Sequence, residues 1–223
     1  MPGERCDNLD PRTVMARANK RTGIAVSGSI KGPWRRFDAP VLPTKPGTFY
    51  SFLTSNATPV VRPDGSVYVM FKSRRYDGYL HSAMMIGVAE AKTWDSEYKV
   101  LTPEPVFGPG RFGEIEDPFV WLESDGTYGM IAKDMSGTIC GERCAGIMAR
   151  SKDGLEWTPC ERPKAYSRTV EWDDGTKQEF ALFERACLLI EDGRPKCLYA
   201  AVADIHPYSL PGASTWSQAF EIE

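Results

Sequence analysis

Two spacings and one absence predict an all-β chain built from a repeated four-stranded antiparallel unit. Asn56, Asp117 and Glu184 each stand 8 residues before the aspartate of an Asp-Gly pair (Asp64-Gly65, Asp125-Gly126, Asp192-Gly193), and each pair leads into an apolar, aromatic-bearing run. Gly23, Gly87 and Gly146 each open a short apolar stretch and are followed 11 residues later by Trp34, Tyr98 and Trp157. No segment carries a sustained 3.6-residue apolar period, so helices are expected to be few and short. A single Asp-Gly is simply a hairpin turn. Three of them, in register with an independent glycine-to-aromatic spacing, describe sheets repeating at about the length of one blade, which predicts a β-propeller.

Taken in order, Gly23 to Trp34 reads as strands three and four of a unit whose first two strands do not precede it. Ala57 to Arg62 and Val67 to Lys72 are β-branched and aromatic runs joined through Pro63-Asp64-Gly65-Ser66, where glycine supplies the positive φ of a tight turn. Phe119 to Leu122 and Tyr128 to Lys133 repeat this around Ser124-Asp125-Gly126, and Cys187 to Ile190 with Cys197 to Val202 repeat it around Asp192-Gly193. Strands are expected at about 57–62, 67–72, 84–90, 118–122, 128–133, 145–150, 187–190 and 197–202. Residues 1–223 then form one propeller domain, with whole blades at about 56–100 and 117–158 and half blades at both ends. Closure takes about 4 to 8 blades, so the ring is expected to be incomplete, with open blade edges available for self-association.

The hydrophobic fraction of 42% and charged fraction of 26% are those of an ordinary globular domain. A net charge of −3 without a basic run argues against nucleic acid as the main partner. The stretch from Met1 to Lys20 is polar and does not read as a signal peptide, and no apolar run is long enough for a helical membrane span. Cys140 and Cys144 are separated by three residues, and no second pair of comparable spacing accompanies them. A structural zinc site is not expected, although a Cys140–Cys144 link on a loop is open; Cys187 and Cys197 read as core thiols. No cofactor and no metal are called for.

Strand one of a propeller blade starts at the central channel and strand two ends beside that start. This geometry gathers Asn56, Glu116-Asp117 and Glu184-Arg185 with Lys72-Ser73-Arg74-Arg75, Lys133-Asp134 and Asp204. Carboxylates, an amide and basic groups facing one funnel suit a polyhydroxylated ligand. The bland reading is that Asp117, before Pro118, satisfies a turn and that Arg74 and Arg75 are solvated. Charged residues recurring at one blade position have no core-packing purpose, which favours the functional reading for Asp117 and Glu184.

Glu116-Asp117-Pro118-Phe119-Val120-Trp121, Ser151-Lys152-Asp153-Gly154-Leu155-Glu156-Trp157, and Gly32-Pro33-Trp34 after Gly23-Ile24-Ala25-Val26-Ser27 resemble the five-bladed β-propeller glycoside hydrolases of the family 43 type and their relatives. The likeness runs from about Arg21 to the end and corresponds to the later part of such an enzyme. It implies a carbohydrate partner and three carboxyl groups: a glutamic acid protonating the leaving oxygen, an aspartate activating water, and a second aspartate orienting the acid. Carried over residue by residue, Glu184 is the candidate acid and Asp117 the orienting residue, with Glu116 competing for either role. Asn56, Arg74, Arg75, Lys133, Asp134, Arg185 and Asp204 are candidate substrate-binding groups. The base belongs to a first blade absent from this sequence. Relatives of this type are often secreted or periplasmic.

The sequence also departs from that pattern. Gly129 follows Tyr128 where histidine is common, Cys144 and Met148 occupy strand three, Ala186 replaces a proline, and His81 and His206 are the two histidines of the chain. A binding-only descendant is therefore the alternative to a glycosidase. The run from Ser151 to Trp157 also resembles the Asp-box of sialidase-like propellers, which implies a structural turn for Asp153, at the outer edge and away from the chemistry.

Overall fold

The computed structural model describes residues 11–77, 82–206 and 214–222, so His81 lies outside the described residues. A short helix, α1 (Pro11–Ala18), leads into a two-stranded antiparallel hairpin of β1 (Ala25–Val26) and β2 (Arg35–Arg36). The first four-stranded meander follows: β3 (Leu53–Val61), β4 (Val67–Arg74), β5 (Met85–Ala91) and β6 (Lys99–Val100). The second is β7 (Ile115–Leu122), β8 (Tyr128–Asp134), β9 (Gly146–Ser151) and β10 (Trp157–Tyr166). A hairpin of β11 (Thr169–Glu171) and β12 (Lys177–Glu179) precedes the third sheet, formed by β13 (Leu182–Glu191), β14 (Arg194–Ala203) and β15 (Thr215–Glu221). Every pairing within these sheets is antiparallel and sequential, the arrangement of propeller blades.

Successive sheets pack face to face. Val60, Tyr68, Met70, Ile86 and Val88 of the first meet Val120, Met130, Ile147, Ala149 and Trp157 of the second in one buried cluster. The opposite face of the second sheet, with Trp121, Ile131 and Tyr166, packs on Phe183, Leu198, Ala200 and Val202 of the third. Leu42 and Phe49, ahead of β3, cover the other side of the first sheet over Val69, Phe71 and Met85. β4 and β8, central in their sheets, are buried along their whole length, because both faces are covered.

The strands that carry the candidate site begin earlier than the sequence suggests. β3, β7 and β13 each contain a β-bulge, between Ser55 and Thr58, between Glu116 and Phe119, and between Glu184 and Cys187. The first bulged residue of each adopts a left-handed backbone: Asn56 at φ 47°, Asp117 at φ 51° and Arg185 at φ 54°. Alternation of apolar residues is broken at a bulge, so sequence pattern places the strand start just after it.

This register also displaces the third repeat by one residue. Ser55 faces Lys72, Glu116 faces Lys133 and Glu184 faces Ala201, so Glu184 corresponds to Glu116, and Arg185 to Asn56 and Asp117. The cause lies in the turns. Asp64 and Asp125 each accept a bond from the backbone N–H two residues on, at Ser66 and Thr127, both at 2.9 Å, around Gly65 and Gly126. Asp192-Gly193 instead forms a two-residue turn with both residues at positive φ, directly joining the paired Glu191 and Arg194. The turn chemistry of Asp64 and Asp125 recurs at Asp174-Gly175-Thr176, between β11 and β12.

Two glycines are required by close approach. A Cβ on Gly146 would lie 2.1 Å from the Tyr166 ring, and one on Gly129 would lie 2.2 Å from Trp121. Ser151 to Trp157 forms the turn between β9 and β10, where the Asp153 carboxylate accepts the N–H groups of Leu155 and Glu156 and Trp157 Nε1 donates to the Gly154 carbonyl. This turn lies at the end of β9 remote from Gly146. Gly146→Ala and Gly129→Ala are expected to lower unfolding free energy by about 1–3 kcal/mol each in urea titrations, as overpacked buried sites do. Gly28→Ala, with nothing within 4 Å of the added carbon, is the control and should change it by less than about 0.5 kcal/mol.

Candidate active site

The bulges of β7 and β13 bring three carboxylates to one point. Glu116, Asp117 and Glu184 each bring a carboxylate oxygen within 4.8 Å of the other two. Asp117 is buried and is held from both neighbouring sheets: Asn56 Nδ2 donates to Oδ1, and the backbone N–H of Arg185 donates to Oδ2 at 3.2 Å. Asn56 and Asp117 thus each bond the bulge residue of the following sheet.

A parallel chain of ion pairs runs beside it. Lys72 Nζ of the first sheet lies 2.5 Å from Glu116 Oε1 of the second, and Lys133 Nζ of the second lies 2.5 Å from Glu184 Oε2 of the third. Lys133 also reaches Glu116 Oε2 at 3.2 Å, so it bridges both glutamates. The Lys133 side chain is only 3% exposed. Burial works against ionisation of Glu116, but the charges and hydrogen bonds of Lys133 and Lys72 outweigh it and hold the carboxyl well below the usual carboxylate range. Burial likewise opposes the Lys133 ammonium, and Glu116, Glu184 and Asp117 reverse the balance and raise its pKa. The three carboxylate oxygens are close enough to share one cation. Two lysines already supply positive charge to them, so the set suits hydrogen bonding and proton transfer better than a divalent ion.

Tyr166, on β10, is buried. Its ring stacks on Phe183 with centroids 4.6 Å apart, and burial, followed by the Asp117 and Glu184 charges, raises its phenol pKa above the ordinary value. Lys20, just beyond α1, is exposed. Partial desolvation and then the charges of Lys72, Arg185 and Arg17 depress its ammonium pKa, against Glu116.

Of the residues singled out in the sequence, Asn56, Glu116, Asp117, Lys133, Glu184 and Arg185 come together here. Asp134 does not offer its carboxylate to this cluster. It is fully buried and accepts the backbone N–H groups of Ser136, Gly137, Ile139 and Cys140, organising the loop after β8. Arg74 is buried with Nη1 on the Ser82 carbonyl at 2.7 Å, Arg75 is exposed, and the exposed Asp204 accepts the N–H of Ile205. The lysine that reaches the carboxylates from β4 is Lys72, two residues before Arg74 and on the same face by strand alternation. Tyr166 and Lys20 carried no sequence signal, since one depends on how far β10 extends and the other on where α1 lies. Cys140, Cys144, Cys160, Cys187 and Cys197 are free thiols, and Cys187 and Cys197 are half-buried rather than core residues.

Sheets stacked as blades, with carboxylates presented from their first strands, define a β-propeller fold. Solved structures with this fold include Zg3597, a family 117 glycoside hydrolase from the marine bacterium Zobellia galactanivorans, at TM-score 0.63 and 14% identity over 92% of this chain and 53% of that one. A thermostable family-43 glycoside hydrolase gives TM-score 0.56 and 15% identity over 89% of this chain and 62% of that one. A BT0996 RGII complex gives TM-score 0.58 and 16% identity, over 87% of this chain and 56% of that one. The chain spans a little over half the length of these structures. No protein-family model and no curated protein sequence matches it.

Because the folded pKa of Glu116 lies below the ordinary glutamate value of about 4.3, its ion pairs contribute stability that is present above that pH and lost as pH falls through the folded value. Denaturant unfolding between pH 7 and pH 2 should show this loss, and Glu116→Gln should flatten it. Lys133→Met, which leaves two buried or half-buried glutamates without their bridge, should cost about 3–5 kcal/mol at pH 7.

Proposed function

We propose that this chain is the site-bearing part of a glycoside hydrolase-like propeller that binds an oligo- or polysaccharide at Glu116, Asp117 and Glu184 and cleaves a glycosidic bond by carboxylate acid/base chemistry. The observation that carries this reading is the convergence of three carboxylates from consecutive sheets within 4.8 Å, two of them next to left-handed backbone and one on it. Strained backbone at such a cluster is how propeller and barrel sites re-aim side chains. Neighbours of the same fold that are glycoside hydrolases, and one that is an RGII complex, support carbohydrate as the ligand class.

Glu184 is assigned the acid role because it is the more accessible glutamate, with 28% of its side chain exposed against 16% for Glu116. Asp117, buried and fixed by Asn56 and the Arg185 N–H, is the orienting carboxylate. Lys133 positions both glutamates. The second reading, sugar binding without cleavage, is favoured by the same lysine, since an ion-paired glutamate must give up Lys133 before it can donate a proton.

A panel of nitrophenyl glycosides separates the two. Under the catalytic reading nitrophenol is released once the propeller is completed by the blade that carries the base, and Glu184→Gln, in protein shown to be folded, lowers turnover by about 10²–10⁴-fold. Retained sugar binding with no release from any glycoside would favour the binding-only reading, and turnover insensitive to Glu184→Gln would remove Glu184 from the acid role.

A further inference from the structure

The repeat that builds the site is broken at one position. Ser55, Glu116 and Glu184 are equivalent, each the last paired residue before the bulge in the first strand of its sheet. The first sheet therefore presents a short hydroxyl where its successors present a carboxylate. Lys133 holds a glutamate of its own sheet and another of the next. Lys72, opposite Ser55, holds Glu116 of the next sheet, and Ser55 is too short to serve it as Glu116 serves Lys133.

Ser55 is fixed beside the carboxylates from two sides. Its cross-strand partner Lys72 lies 2.5 Å from Glu116 Oε1, and the residue after it, Asn56, donates its amide to Asp117 Oδ1. Opposed residues of an antiparallel pair point to the same face, so the Ser55 side chain shares the face from which Lys72 reaches Glu116. Ser55 is only 7% exposed, and its Oγ has no hydrogen-bond partner among the described residues. The other hydroxyls of β3 are satisfied: Thr54 Oγ1 donates to the Leu42 carbonyl, and Thr58 Oγ1 accepts the Val120 N–H at 3.4 Å. A buried hydroxyl is costly to leave without a partner, so one left open next to a charged cluster points to a partner from outside the chain. The Lys72 ammonium has donors beyond the one given to Glu116, and a serine hydroxyl both donates and accepts. Together they match a group that is itself donor and acceptor, which a sugar hydroxyl is.

We propose that Ser55 Oγ and Lys72 Nζ form a hydroxyl subsite beside Glu116, which takes one ring hydroxyl of the saccharide and makes Ser55 a determinant of which sugar is held. This inference rests on the carbohydrate reading above and adds to it the group by which the sugar is recognised. Lys72 donates to the sugar oxygen, and Ser55 makes the remaining hydrogen bond. A single bound water offers the same donors and acceptors, so the test separates the two.

The full chain is titrated calorimetrically with a panel of neutral pentose and hexose oligosaccharides, and then with each monodeoxy form of the tightest binder. One monodeoxy form should bind wild type about ten-fold more weakly than its parent, the loss expected when one buried hydrogen bond goes unmade. Ser55→Ala should bind the parent as weakly, show no further loss with that deoxy form, and keep the wild-type melting temperature, because no internal bond is removed. Ser55→Glu, which continues the glutamate repeat into the first sheet, should abolish binding in folded protein. Equal binding of parent and every deoxy form would mean that the hydroxyl pair holds water only, overturning the subsite and leaving the carbohydrate reading standing. Deoxy and Ser55→Ala losses that simply add would place the recognised hydroxyl elsewhere and also overturn it. A lowered melting temperature in Ser55→Ala with binding unchanged would make Ser55 a structural group, with the same consequence. No binding of any oligosaccharide would overturn the carbohydrate reading and this inference with it.

Discussion

The left-handed bulge residue in the first strand of each sheet is the constraint on which the rest of the site depends. Without it, Asn56, Asp117 and Arg185 would follow the pleat, and alternate residues would enter the inter-sheet cores. The bulge inserts one residue and turns the strand, so a charged or amide side chain leaves the packing layer at the point where sheets converge. Left-handed backbone is tolerated here by Asn and Asp, which adopt it more readily than other non-glycine residues. Arg185 has no such preference, and the bond from its N–H to Asp117 helps hold it there.

Around this geometry the buried electrostatics are closed. Glu116 and Lys133 would each be costly alone inside the protein, and they are admitted because each supplies the counter-charge of the other, with Lys72 and Glu184 completing the chain. The same network explains why Asp117 can be buried without a lysine of its own: two directed hydrogen bonds, one from each flanking sheet, take that place. The cores between sheets are apolar on both sides, so the polar network is confined to the inner ends of the strands.

The sheets were legible because hydrophobic runs and turn chemistry are local properties. The Asp-Gly pairs located three hairpins, and Gly87 and Gly146 marked strands where an aromatic ring presses on the backbone. Glu116, Asp117 and Glu184 were legible as a cluster by the same repeat. The one-residue displacement of Glu184 was not, although a local signal existed: Ser66 and Thr127 follow their glycines, and Arg194 follows Gly193 without the hydroxyl typical of the longer turn. The place of Asp134 is not legible, because a buried carboxylate that accepts four backbone N–H groups looks in sequence like any strand-end acid. Lys72 against Arg74 is a question of reach along one face, and Lys20 depends on the position of a helix remote in sequence; neither is encoded by period or composition.

The lysine pairing also has a direction. Lys72 serves the sheet after its own, and Lys133 does so again while also touching its own glutamate; at the next position in β14 stands Ala201, which carries no charge to hand forward. Sheets joined in this way are not interchangeable parts, even though their backbones repeat. Duplicating, deleting or transposing one of them would leave an ammonium or a carboxylate at the inner rim facing the wrong neighbour. Order along the chain is therefore written into charge as well as into connectivity.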